Sequence, residues 1–421
     1  MGATRLIVVG QGYVGLALAM RAVEVGFDVV GYDVDGDRIK ALAAGDSFVE
    51  DVGDDVLRAA LDCGRYRPVA DLDGIDGFDV AVIAVPTPLR EGTPDLSYIE
   101  DAARSLAGLL RPGATVVLES TTYPGTTEEL VGPLLERGSG LAAGADFHLG
   151  YSPERIDPGN RSHTLVTTPK VVSGIDAASL EAVRGFYDRL VDRTVPVSGP
   201  MVAELTKLLE NTFRHVNIAL VNELAMFADD LGIDMWEAID AASTKPFGYL
   251  RFTPGPGVGG HCLPVDPSYL SWQVRRRLGR SFRFVELAND VNDHMPDYVV
   301  SRLVVALNRQ AKAVKGSRIL LLGVSFKRNV GDCREAPSRR ITRLLADLGA
   351  DLRACDPHVA PGDFPPGAMP VELSADELAA ADMVVALVDH DAFDPAVVVE
   401  HSRSVLDTRG WLPIRENVER L

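Results

Sequence analysis

Apolar positions in the first part of the chain come in short unbroken runs, separated by longer stretches with helical spacing. Residues 6–9, 28–32, 80–85, 115–119 and 147–150 read as strands and 13–25 as a helix. Near-continuous apolar runs, as opposed to alternating ones, predict parallel strands covered on both faces. From about Val202 the pattern changes: Leu205, Leu208, Leu209, Phe213, Val216, Ile218, Leu220, Val221 and Leu224 recur at helix spacing. A second strand and helix alternation comes after it, with strands at 318–323, 351–355, 383–388 and 404–406 and a helix at 337–348. Gly- and Pro-rich stretches at 254–260 and 361–370 predict loops. The expected fold is α/β: two Rossmann-like doubly wound domains joined by a long central helix. The expected divisions are 1–198, 199–312 and 313–421.

Composition narrows the class. At 421 residues the chain exceeds one core, and 46% hydrophobic with 24% charged residues describes a soluble globular protein. No uninterrupted apolar run reaches about twenty residues, so no membrane span is expected. The start of the chain has no basic segment leading into an apolar one, so a cytoplasmic enzyme is expected. Net charge of −18 disfavours nucleic-acid binding, and an anionic ligand would need a local cluster of Lys and Arg. The four cysteines, Cys63, Cys262, Cys333 and Cys355, are far apart, which disfavours a disulfide framework or a zinc ribbon. No metal is expected.

Several motifs carry candidate chemistry. Gly10-Gln11-Gly12-Tyr13-Val14-Gly15 follows a strand and opens a helix, and Asp33 ends the next strand. Gly10 permits a tight turn, Gly12 lets a pyrophosphate approach the helix N-terminus, Gly15 permits close packing, and Asp33 can bind ribose hydroxyls. The acid at 33 favours NAD because it repels a 2′-phosphate; Arg38 keeps NADP open. Pro86, Thr87 and Thr121 follow strands, at the sheet edge where ligands bind; they either line the cofactor crevice or shape loops. Glu154, in Ser152-Pro153-Glu154-Arg155, is either a general base or a solvated acid. Lys207 and Asn211, spaced i, i+4, share a helix face and can stabilise an oxyanion or form a solvated stripe. Cys262, among glycines and prolines after Gly259, is either a nucleophile or a small buried hydrophobe; a nearby cation such as Lys207 or His261 raises its thiolate fraction. Lys327, Arg328 and Arg334 form a cationic turn suited to a diphosphate or to plain surface charge.

Together, GxGYVG at Gly10, SPER at Ser152, Lys207 with Asn211, GGHCLPVDP at Gly259 and GVSFKRNVGDCREAP at Gly323 resemble the UDP-glucose/GDP-mannose dehydrogenase family, the nucleotide-sugar 6-dehydrogenases, along essentially the whole chain. The run from Leu209 to Ala225, Thr244 to Gly248 and His261 to Asp266 look like the branch acting on UDP-N-acetylhexosamines, especially UDP-N-acetylglucosamine. UDP-glucose members instead carry Phe-Pro-Lys-Asp where this chain has Leu263-Pro264-Val265-Asp266. The resemblance implies that Cys262 captures the C6 aldehyde as a thiohemiacetal and carries the thioester, with NAD as cofactor. Lys207, Asn211 and Asp266 would handle protons and the oxyanion, and Glu154 and Thr121 would position or activate water. It further implies that Gly10, Gly12, Tyr13, Val14, Gly15, Asp33, Arg38, Pro86, Thr87, Thr121 and Arg334 meet the cofactor. Glu154, Arg155, Lys207, Asn211, Tyr249, Arg251, Gly259, Lys327 and Arg409 would meet the UDP-sugar, in a homodimer or higher homo-oligomer. The alternatives are other UDP-N-acetylhexosamines, UDP-glucose or GDP-mannose as substrate, and a non-catalytic nucleotide-sugar binding protein.

Overall fold

The computed structural model describes residues 4–49, 51–90, 93–156, 160, 162–260, 263 and 265–421. Cys262 and His261 therefore lie outside the described residues. The chain divides into two compact units, Met1–Glu210 with Arg276–Leu278, and Asn211–Arg275 with Gly279–Leu421.

In the first unit, six parallel strands lie in the order Tyr66–Val69, Asp28–Tyr32, Arg5–Val9, Val80–Ile83, Thr115–Leu118 and His148–Tyr151. Ile7 sits between Val30 and Ala81. Alternate residues of the first strand serve different faces: Leu6 and Val8 pack with Leu16 and Phe186, while Ile7 and Val9 pack with Ile99 and Leu135. Two covered faces require the unbroken apolar run that the sequence shows.

The second unit repeats the arrangement. Its six parallel strands run Met369–Pro370, Asp351–Cys355, Arg318–Leu322, Met383–Ala386, Val405–Asp407 and Val418–Arg420. Ile319 and Leu321 face one core, Leu320 and Leu322 the other. Both sheets thus have the strand order of a doubly wound dinucleotide-binding fold. The fold is α/β with two Rossmann-like domains, as the apolar pattern predicts.

The stretch 361–370, expected as a loop, contains a short 3-10 turn at Pro361–Asp363 and the edge strand Met369–Pro370. Proline is tolerated there because an edge strand leaves one side of its backbone unpaired. The long helical stretch is a 31-residue helix, Pro200–Asp230, and the division between the units falls within it.

Candidate active site

The helix Tyr13–Glu24 begins directly after the first strand. Gly10 has φ +92°, and its amide donates to the Tyr32 carbonyl at 2.8 Å. A Cβ at Gly15 would lie 1.8 Å from the Gly10 carbonyl oxygen, so helix and turn fit only with glycine there. A Cβ at Gly12 would meet nothing within 4 Å among the described residues, the helix has no side-chain cap, and its first turn carries no acid. That leaves an open, positively polarised helix end suited to a pyrophosphate.

Asp33 is buried, accepts from the Gln11 amide at 2.8 Å and the Asp35 amide at 3.0 Å, and pairs with Arg38 at 2.8 Å. Gln11 is itself tied to the Tyr66 hydroxyl at 2.7 Å. Val14 is half-buried and Tyr13 exposed at the opening of the helix; Pro86 is exposed and Thr87 half-buried beyond Val80–Ile83. Thr121 is half-buried beyond Thr115–Leu118. Buried Glu204 clamps the following turn, accepting from the Gly125 amide at 2.6 Å and from both amide and hydroxyl of Thr127 at 2.9 and 2.7 Å. These groups fit a dinucleotide, which would supply a hydride acceptor when bound.

Glu154 is buried rather than solvated. One carboxylate oxygen accepts from the Arg155 and Ile156 amides, each at 2.6 Å, and the other from the Lys170 ammonium at 2.9 Å. Burial pushes its carboxyl up, but Lys170, the Ile156 amide and Lys207 outweigh that and hold it below the usual range. Lys207, half-buried, donates to the Glu154 carbonyl at 2.5 Å, and Arg155 pairs with Glu210 at 2.7 Å. Lys170 also pairs with Glu119 at 2.8 Å.

In the second unit, Asn211 donates to buried Asp266 at 2.5 Å; Asp266 opens the helix Asp266–Leu278. The Gly255 amide donates to the buried side chain of Asn222 at 2.9 Å, which donates to Asn292 at 2.9 Å, so a polar chain anchors the glycine-rich loop. A Cβ at Gly259 would lie 2.8 Å from the Glu335 carbonyl oxygen and 2.9 Å from Phe326 Cβ. Glycine at 259 therefore packs directly on the turn that carries Lys327. Lys327 is half-buried, Arg328 pairs with Asp389 at 3.3 Å, Arg334 takes Asp332 with two bonds at 3.0 and 2.8 Å, and Arg409 pairs with Asp389 at 3.5 Å. Tyr249 is half-buried and Arg251 pairs with Asp240 at 2.5 Å.

The structure thus brings Lys207 to Glu154, Arg38 to Asp33, Asn211 to Asp266, and Gly259 to the turn 326–337. Lys170 and Glu204 were missed by sequence reasoning. No motif marks them; only pairing across the fold does. Among the described residues no helix is long and apolar enough to cross a membrane, and no group of three or more His, Cys, Asp or Glu is placed to hold a metal.

Three family models match in chain order: the NAD binding domain of the UDP-glucose/GDP-mannose dehydrogenase family over residues 4–191, its central domain over 201–294 and its UDP binding domain over 320–413. A UDP-N-acetyl-D-glucosamine 6-dehydrogenase of Pseudomonas aeruginosa is 39% identical over 363 residues, covering 85% of this chain and 84% of that protein. A UDP-N-acetyl-D-mannosamine dehydrogenase of Pyrococcus horikoshii is 35% identical over 356 residues, 84% of each chain. An NDP-N-acetyl-D-galactosaminuronic acid dehydrogenase of Ralstonia solanacearum is 37% identical over 416 residues, 96% of this chain and 95% of that one. The solved structure of the Pyrococcus horikoshii UDP-D-ManNAc dehydrogenase superposes with a TM-score of 0.89 at 32% identity, covering 99% of this chain and 98% of that one. With NAD- and UDP-binding models matched on its two Rossmann-like sheets, the chain belongs to the UDP-glucose/GDP-mannose dehydrogenase family and is an oxidoreductase of nucleotide sugars.

Proposed function

We propose that this protein oxidises C6 of a UDP-N-acetylhexosamine to the uronic acid, a four-electron reaction using NAD, with UDP-N-acetylglucosamine as the first substrate to test. The observation that carries the reading is that the Pseudomonas, Pyrococcus and Ralstonia relatives are all named for N-acetylated sugar nucleotides or their uronic acids. UDP-N-acetylmannosamine is the second reading, favoured by the Pyrococcus relative and its structure.

Cys262 is assigned as the nucleophile that captures the aldehyde and carries the thioester. Asn211 and Asp266 stabilise the oxyanion and shuttle protons, with Lys207 on the same helix one turn before Asn211. Glu154 and Thr121 hold the hydrolytic water. Gly10, Gly12, Tyr13, Val14, Gly15, Asp33, Arg38, Pro86, Thr87 and Arg334 are assigned to the cofactor, and Arg155, Tyr249, Arg251, Gly259, Lys327 and Arg409 to the UDP-sugar. The functional divisions are placed at 1–198, 199–312 and 313–421, and the enzyme in the cytoplasm. Phe213, Leu220, Leu224, Phe227 and Leu231 are exposed at helical spacing, which supports a homodimer through that face.

NADH formed per mole of limiting sugar nucleotide tests the function, run in parallel on UDP-N-acetylglucosamine, UDP-N-acetylmannosamine, UDP-N-acetylgalactosamine and UDP-glucose. Two NADH per acetamido sugar is the expected result; turnover of UDP-glucose alone moves the enzyme to another branch. Cys262→Ala should lower uronate formation by on the order of a thousandfold while NAD binding is kept.

A further inference from the structure

Lys170 lies at the start of the strand Lys170–Val172, in a Thr-Thr-Pro-Lys-Val-Val run that announces no chemistry. It is 2% exposed. Its ammonium stands 2.8 Å from Glu119, at the end of the fifth strand of the first sheet, and 2.9 Å from Glu154, just beyond the sixth. Burying an ammonium costs several kcal/mol unless partners repay it. Here two carboxylates from neighbouring strand ends do so, leaving one cation for two anions.

The two acids are not equivalent. Glu154 has donors on both oxygens, two of them backbone amides. Glu119 is 1% exposed and accepts from Lys170 and from the Tyr187 hydroxyl on one oxygen, while its other oxygen has no partner among the described residues. The groups facing the cluster are Tyr187 from the helix Ala177–Tyr187, whose ring centroid is 5.3 Å from the ammonium, and Lys207 from the helix Pro200–Asp230. Arg155 is turned to Glu210. Glu154 in turn fixes Lys207, whose ammonium is held by the Glu154 backbone carbonyl at 2.5 Å.

We propose that Lys170 is a positioning residue: it locks Glu154 as an anion in its amide-capped turn, which aims the Glu154 carbonyl at Lys207 and so sets where the Lys207 ammonium stands, while Glu119 takes up the surplus charge by holding a proton. This deepens the dehydrogenase reading and rests on it. Burial pushes the Glu119 carboxyl up, consistent with its holding the proton. Glu154 in this arrangement is a poor base, because three donors stabilise its charged form. Its part is to hold Lys207 and a water in place.

The test is the pH profile of kcat on the full-length enzyme, with NAD titrated in parallel. Lys170→Met leaves two buried acids without the cation between them, so the acid limb should move up by about one pH unit or more, with kcat reduced and NAD affinity unchanged. Glu119→Gln imitates the protonated acid and should leave the limb where the wild type has it. Should Lys170→Met not fold, the double variant Glu119→Gln/Lys170→Met leaves a single amide-capped carboxylate and should show the same upward shift. An unmoved limb in either Lys170 variant, or a Glu119→Gln limb that rises as far, overturns the assignment. A wild type that forms no NADH from any UDP-N-acetylhexosamine sinks the function and the inference together, whereas an active wild type with unmoved limbs sinks only the role of Lys170.

Discussion

Both sheets leave their first strand through a glycine with positive φ, Gly10 at +92° and Gly323 at +79°, whose amide donates at 2.8 Å to the last residue of the second strand, Tyr32 or Cys355. In both, the next residue is an aspartate that accepts from the backbone just past that glycine: Asp33 from the Gln11 amide, Asp356 from the Val324 and Ser325 amides. Beyond the glycine the two chains part. In the first unit the helix opens almost at once, so backbone amides face the space above the sheet. In the second, the chain runs from Val324 to Ala336 before the helix Pro337–Asp347, and that excursion carries Lys327, Arg328 and Arg334. One topology thus carries either an open helix end or a long turn with cationic side chains, the two features proposed above to meet the cofactor and the UDP-sugar.

The longer turn needs its own bracing. Asp356 is buried, receives three amides, including His358 at 2.9 Å, and stands 3.1 Å from the His390 ring. The other ring nitrogen of His390 accepts the Asn329 amide at 2.9 Å, which puts the ring proton on the side facing Asp356 and Ser325. Burial pushes the Asp356 carboxyl up, but His390 and the amides overcome it and bring it down to about 2.

The sharpest way to break the first turn is Gly15→Val. With backbone 1.8 Å from the new Cβ, it should cost more than about 3 kcal/mol and abolish NAD binding, measured by chemical denaturation and NAD titration. Next in size, Asp356→Ala strips acceptors from the long turn and should cost about 3 kcal/mol and raise KM for the sugar nucleotide while leaving that for NAD alone. The same residue gives a pH test. Its folded value is depressed, so its stabilisation is present above the unfolded value of about 3.8 and is lost as pH falls from there towards about 2. Asp356→Asn should flatten that part of the stability profile, read as denaturant midpoint against pH. The smallest expected effect is Lys327→Ala: about a tenfold rise in KM for the sugar nucleotide, no change for NAD, and unchanged stability. Equal loss for both ligands would dissolve the contrast between the turns.

The sequence made the strands legible because burial on both faces leaves no polar position in a run such as Ile-Leu-Leu-Leu after Arg318. The glycine turn was legible because the contact at Gly15 admits one residue type. What could not be read were pairings between distant polar residues: Lys170 with Glu119, and His390 with Asp356. Each partner alone looks like an ordinary surface residue, and only the crossovers between parallel strands bring them together. The edge strands Tyr66–Val69 and Met369–Pro370 escaped because they lack the double burial that makes a strand's pattern plain.

Lysine is scarce in this chain, with Lys40, Lys170, Lys207, Lys245, Lys312, Lys315 and Lys327 among 42 basic residues. Lys40 is open to solvent, its side chain 80% exposed and paired only with the exposed Asp37 of its own helix, whereas Lys170 is shut away between two strand ends. An acylating reagent will therefore reach Lys170 only when those strands part. Its modification, followed by mass spectrometry against Lys40, serves as a clock for local opening of the first unit, with no label to introduce.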